Sequence, residues 1–249
     1  MRILAISDEV TNSLYHSNLN QLTGPIDVLI GCGDLPYDYM DFIVTQTHVA
    51  HALFVHGNHD RAQSLPNGKR IDHPLGWTNI DRRVVYLRKL DLLVAGLQGS
   101  IRYSARADYQ YTEVEMASRA LSLIPQLLLN RALRGRYVDV FVAHSPAEGI
   151  HDSPQGAHRG FGTFLRLIQR FEPHLFLHGH NHRYGQEIWH TQHQRTDIVN
   201  VHPFCMITYD VDSVTVNNRH SQRLRGSGYR VAGEDFTGKG VKGRLWQSF

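Results

Sequence analysis

The sequence predicts an α/β or α+β architecture, on two observations. Short apolar, β-branched runs alternate along the chain with longer stretches of helical periodicity. Several of those runs stop abruptly at Gly, Asp, Asn or His, as strands do where they open onto a ligand crevice. Taken in order, strands are expected over 2–6, 27–30, 52–55, 84–87, 92–96, 138–143, 175–177, 187–190, 197–201 and 205–209. Helices are expected over 37–49, over 112–130 with a bend or break where Pro125 removes an amide donor, and over 162–171. In the last of these Phe164, Leu165, Ile168 and Phe171 recur at core-facing spacing.

Composition narrows the class. The 249 residues, 41% hydrophobic and 20% charged, can bury a core and are not a disordered polyelectrolyte. No apolar run approaches the ~20 residues of a membrane span. Asp8-Glu9 follows the first apolar run too soon for a secretory signal. Two cysteines, Cys32 and Cys205, build no disulfide framework. A cytoplasmic protein without a membrane partner is therefore expected. The net charge of +3 is unevenly spread: residues 213–249 carry seven Lys/Arg against two Asp/Glu, a local +5, and the rest sums to −2. With six glycines, 213–249 reads as a basic extension appended to a domain over 1–212, with Leu245, Trp246 and Phe249 as apolar anchors. Ten of the 17 histidines fall between His144 and His202, and histidine ligates metals and moves protons.

Five strand ends carry the chemistry. The first runs into Ser7-Asp8, the second into Gly31-Cys32-Gly33-Asp34, the third into His56-Gly57-Asn58-His59-Asp60. The strand at 138–143 stops on His144, and that at 175–177 on His178-Gly179-His180-Asn181-His182. Singly, each has an ordinary explanation: Asp8 caps a turn, Asn58 is a left-handed turn residue, His144 is half-buried and satisfied. His180 and His182 are more telling, because alternate residues of an extended segment point the same way. Five such ends together suggest a shared cavity.

These residues resemble a known family. Gly33-Asp34, Gly57-Asn58-His59-Asp60, Ala143-His144-Ser145-Pro146 and Gly179-His180-Asn181-His182 are similar, in order and spacing, to the signature blocks of the calcineurin-like binuclear metallophosphoesterases. The resemblance spans Met1 to Asp210 and leaves the tail uncovered. It implies a four-layer αββα sandwich, with two mixed β-sheets face to face and helices outside. It also implies two divalent ions bridged by an aspartate. By position Asp34 would be the bridge; Asn58, His144 and His180 would complete one metal site, and Asp8 and His182 would belong to the other. His59 would stand near the leaving group as acid or phosphate contact, with Asp38 or Asp60 to orient it. Oxygen and imidazole donors suit Mn, Fe or Zn.

The first block departs from the family's Asp-x-His, reading Asp8-Glu9-Val10, and valine has no lone pair. Three readings stay open. Water or Glu9 fills the vacancy; or the first site fills only when substrate phosphate adds an oxygen; or hydrolysis is lost and binding kept. His16, His151 and His158 are further donors that the sequence does not place. One ion held tightly and one loosely is the expectation.

The implied reaction is phosphoester hydrolysis by metal-activated water, a phosphodiester being favoured over a monoester. Two carboxylates against two divalent cations leave the centre positive, which suits an anionic small-molecule or nucleotide substrate. Arg102, Arg106 and His158 are the expected phosphate contacts, with Tyr109 and Tyr111 available for stacking. Tyr37 and Tyr39 are expected in the core. Two alternatives are a nuclease that uses the basic tail and a metal- or phosphate-binding regulatory module with little turnover; nucleic acid is the less favoured partner. The near P-loop at 233–240 lacks its Ser/Thr, no Gly-x-Ser-x-Gly elbow occurs, and Cys32 reads as a small buried strand residue.

Overall fold

Apolar residues alternate in or out along the strands, and two faces of each sheet are thereby committed to burial. The structure is a computed structural model that describes residues 1–64, 68, 70–105, 108–153, 156–182, 189–210 and 213–217. In chain order its principal strands are β1 (Arg2–Ile6), β2 (Val28–Gly31), β3 (Ala52–Phe54), β4 (Thr78–Asn79), β5 (Arg83–Leu87), β6 (Leu92–Leu97), β7 (Val140–Ala143), β8 (Leu175–His178), β9 (His190–His193), β10 (Thr196–Asn200), β11 (Phe204–Asp210) and β12 (Ser213–Asn217). The α-helices are α1 (Leu19–Thr23), α2 (Tyr37–Thr47), α3 (Glu113–Leu121), α4 (Ile124–Arg134) and α5 (Gly162–Phe171).

The strands form two six-stranded mixed sheets, ordered β12-β11-β1-β2-β3-β4 and β9-β10-β8-β7-β6-β5. In the first, β1 to β4 run parallel and β11 and β12 antiparallel. In the second, β6, β7, β8 and β10 run parallel, with antiparallel edges at β5 and β9.

Alternation along each strand explains the layering. On β1, Ile3 and Ala5 join Val28, Ile30, Val140, Val142, Leu175 and Leu177 in the core between the sheets. Leu4 and Ile6 face the other way, onto Leu19, Tyr37, Met40 and Ile43 of α1 and α2. The second sheet does the same: Ala95, Phe141, Phe176 and Ile198 pack on Met116, Leu127, Phe164 and Ile168 of the outer helices. The result is the helix–sheet–sheet–helix sandwich expected. Cys32 and Cys205 are buried as thiols between the sheets, and Tyr37 and Tyr39 lie in the core under α2.

One expectation is refined and two are corrected. The break expected in 112–130 divides it into two helices, with Pro125 at an opening position of α4, where no amide donor is needed. Thr112 and Glu115 close a capping box that starts α3. The strand expected at 187–190 is His190–His193, with 187 and 188 outside the described residues. Ser213–Asn217, read from sequence as the start of the basic extension, forms the edge strand β12 against β11; residues 218–249 lie outside the described residues.

Phe164 is fully buried, its ring 4.9 Å from Phe161 and 6.0 Å from Phe176. Phe164→Ala is expected to lower stability by about 3–5 kcal/mol in denaturant melts. Metal stoichiometry should not change, because this layer faces away from the strand ends described next.

Candidate metal centre

Five parallel strands present their carboxyl ends at one place: β1, β2 and β3 from the first sheet, β7 and β8 from the second. Beyond those ends the chain turns sharply, and three of the turning residues carry side chains in the left-handed region: Asp8 (φ 66°), Asp34 (φ 57°) and His180 (φ 67°). A non-glycine residue there costs about 1–2 kcal/mol. Such strain persists where surrounding contacts fix the residue, often at functional sites. Neighbouring side chains leave no room for a Cβ at two of the glycines beside them. One added at Gly57 would overlap the Asp34 carboxylate, and one at Gly179 would overlap Ser7 and the Asp8 carboxylate. The glycines are thus the cradle into which the two acids fit.

Asp34, His144 and His180 offer ligating atoms that all lie within 4.8 Å of one another. His144 is fully buried; its Nδ1 lies 2.7 Å from the Cys32 carbonyl, to which it donates. That bond fixes the ring and turns Nε2 toward the Asn58 amide oxygen at 3.0 Å and Asp34 Oδ2 at 3.2 Å. His180 Nε2 lies 2.7 Å from the Ala157 carbonyl, and donation there leaves Nδ1 as the ring's free lone pair. Asn58 is held in turn by its own Nδ2–H, which donates to the Tyr103 hydroxyl at 2.9 Å. One carboxylate, two imidazoles and an amide oxygen suit a borderline divalent ion.

Electrostatics separates the two histidines. Burial would lower the pKa of His144, but the charge and hydrogen bond of Asp34, with Asp8 and the Cys32 carbonyl, raise it to about 9. Burial pushes Asp34 up, and His144, by charge and by hydrogen bond, with the His59 N–H, brings it down to about 2. His180 falls to about 3, from burial and then the positive charge of His144. Without metal, protonated His144 is thus the cation that balances Asp34. Asp8 is raised, chiefly by burial.

The remaining expected residues divide. Asp8 accepts the His180 backbone N–H at 3.0 and 3.1 Å, and its Oδ1 lies 3.9 Å from His182 Nε2. The His59 N–H donates to Asp34 Oδ1 at 2.7 Å, and the residue is exposed. Asp60 does not orient His59; it accepts the Gly57 and Asp34 amides at 2.8 and 3.2 Å and lies 3.5 Å from His56 Nδ1. His158 stands at the mouth, its ring 5.0 Å from that of His180. Arg102 is committed elsewhere: its guanidinium donates to both oxygens of Glu115, at 2.8 and 2.9 Å, beside the α3 cap. Arg106 lies outside the described residues. Tyr109 stacks on His56 and Tyr111 accepts from Gln98, so both buttress the loops. His151 faces His178 Nε2 at 3.0 Å and Thr191 at 2.8 Å.

Three contributors went unnoticed in the sequence. Tyr103 orients Asn58. Arg61 donates to the Asn58 and Asp60 carbonyls, which puts a cation beside the third block. His202 stacks on His182, ring centroids 4.6 Å apart. Only the histidine count hinted at the last.

The paired charges give a pH dependence for the metal-free protein. His144 is raised above 6.5, so its contribution to stability is complete below that pH and is lost as pH climbs through about 9. Asp34 is lowered from 3.8, so its contribution is present above 3.8 and is lost as pH falls through about 2. Metal uptake must expel the His144 proton, so Mn²⁺ affinity should rise up to about tenfold per pH unit between pH 6 and 8. Calorimetric titration in buffers of different ionisation enthalpy would measure both affinity and proton release. An affinity flat with pH would contradict the pairing.

The model of the calcineurin-like phosphoesterase family matches residues 1–184. Comparison with curated proteins gives no match. Among solved structures, TT1561 of Thermus thermophilus superposes with a TM-score of 0.57 at 17% identity, over 87% of this chain and 98% of its own. Another solved structure superposes with a TM-score of 0.58 at 14% identity, over the same shares, 87% and 98%. A single mutant of Vps29 from Entamoeba histolytica gives 0.41 at 12% identity, over 87% and 90%. At these identities the first two likenesses speak for the fold. With the family model covering most of the described domain, this chain belongs to the calcineurin-like phosphoesterase family.

Proposed function

We propose that the chain is a metal-dependent phosphoester hydrolase that holds two divalent ions (Mn, Fe or Zn). Its substrate would be a small-molecule or nucleotide phosphodiester in preference to a monoester. The observation that carries this reading is the convergence of Asp34, His144 and His180 beside the Asn58 amide oxygen. Those four residues would hold one ion; Asp8 and His182, with Asp34 shared, would hold the other. When bound, the ions supply Lewis acidity, which makes water a better nucleophile near neutral pH and offsets charge on the phosphoryl oxygens.

The other tasks fall to the side chains. Two carboxylates against two divalent cations leave the centre positive and attractive to an anion, and the neutral amide of Asn58 preserves that excess. His59 is anchored by its backbone to Asp34 while remaining exposed. In this reading it would hold a proton for the leaving-group oxygen or contact a phosphate oxygen. His158 adds a second imidazole at the mouth. With Arg102 neutralised by Glu115, this mouth suits the single negative charge of a diester better than the two of a monoester.

A chromogenic phosphodiester assayed with Mn²⁺, and again after chelation, tests the reading. Mn²⁺ should support turnover, chelation should abolish it, and the matching monoester should be cleaved more slowly. His59→Ala should lower turnover by about 10²- to 10⁴-fold with metal content unchanged. Metal lost from that variant would make His59 a ligand, and turnover that survives chelation would remove the metal from the reaction.

A further inference from the structure

The first block lacks a ligand at Val10, a residue 40% exposed and without a donor atom. Its sheet neighbour supplies one. β11 runs antiparallel to β1 with Ile6 opposite Phe204, and the ladder continues one residue further, where the Ser7 N–H donates to the Pro203 carbonyl at 3.0 Å. That register sets His202 beside Asp8. The His202 imidazole is 5% exposed and lies nearly parallel to the ring of His182, at 11° and 4.6 Å between centroids. Each ring meets one acid of the same dipeptide: His182 Nε2 lies 3.9 Å from Asp8 Oδ1, and His202 Nε2 lies 3.5 Å from Glu9 Oε2.

We infer that His202, supported by the Glu9 carboxylate, replaces the imidazole missing at Val10, so that the first ion is held by Asp8, Asp34, His182 and His202. This rests on the binuclear reading above. Two imidazoles and two oxygen donors occur in both sets, the Asn58 amide oxygen standing at the other site where Asp8 stands here, so both sites would take the same borderline ions. Ligand atoms around an ion bound at ~2.1 Å stand roughly 3 Å apart. Asp8 and His182, 3.9 Å apart, need to close by about an ångström, and the His202 ring, parallel here to that of His182, has to tilt for both lone pairs to meet one ion; Glu9, with its side chain 56% exposed, has room to follow. The donor comes from a strand about 190 residues away from the first block, which is why no local motif reveals it.

Mn²⁺ binding to the metal-free full chain, followed by equilibrium dialysis and by electron paramagnetic resonance, tests the inference. The unaltered protein should take two ions, one weaker than the other, and show the spectrum of a coupled pair. His202→Phe keeps a ring against His182 but has no nitrogen. It should retain the tighter ion, weaken the second by more than about tenfold, and show an uncoupled Mn²⁺ signal. Val10→His added to His202→Phe should restore the second ion and the coupled spectrum. Glu9→Gln should weaken the second ion less than His202→Phe does. Two ions bound by His202→Phe with unchanged affinities would overturn the inference, as would a single ion at saturation in the unaltered protein. The first result would leave the hydrolysis reading untouched, and the second would remove its two-ion part; hydrolysis itself fails if the metal-loaded protein turns over no phosphoester.

Discussion

His144 leaves the end of a second-sheet strand and closes on the first sheet. Its Nδ1–H is taken by the Cys32 carbonyl at 2.7 Å, and its Nε2 is left facing Asp34 at 3.2 Å. The two sheets pack through aliphatic side chains, and this polar contact ties them together at their carboxyl ends. A buried imidazole beside a buried carboxylate is costly when either partner is missing. A shared proton and, on the proposed reading, a divalent metal are therefore alternative ways to satisfy the same pair of groups.

Around that contact the backbone accepts strain. Asp8, Asp34 and His180 each adopt a left-handed conformation that glycine would adopt more easily. Each has a side chain or amide committed to the centre, and Gly57 and Gly179 stand where any Cβ would displace an acid. Small residues thus lie beside the ligands, and ligands occupy positions where a small residue would be more comfortable. Asp60 stabilises the arrangement from behind by accepting the amides of both Asp34 and Gly57. Asp60 thereby ties the block after β2 to the block after β3.

Much of this was legible in the sequence, for definite reasons. Strands buried on both faces read as short continuous apolar runs, so β1, β2, β7 and β8 could be read with small shifts at their ends, and α5 matched its expected bounds. Pro125 announced the break between α3 and α4 but not that it would open a new helix. The residues that meet at the strand ends were legible because each sits in a short contiguous motif. What escaped depends on contacts between distant segments. Arg102 looked like a phosphate clamp until Glu115, thirteen residues on, claimed it. Asp60 looked like a partner for His59 because of adjacency, yet the turn directs it to backbone amides. Tyr103 and His202 gave no local sign at all, one reaching Asn58 across a loop and the other brought beside Asp8 by an antiparallel register.

The claim that everything else needs is that these strand ends share a cation. Anomalous diffraction from crystals of the full chain grown with Mn²⁺ tests it most directly. A peak at ~2.0–2.3 Å from the Asp34 carboxylate, His144 Nε2, His180 Nδ1 and Asn58 Oδ1 is the predicted result. A map with no peak there, and His144 Nε2 still within hydrogen-bonding distance of Asp34, would contradict it.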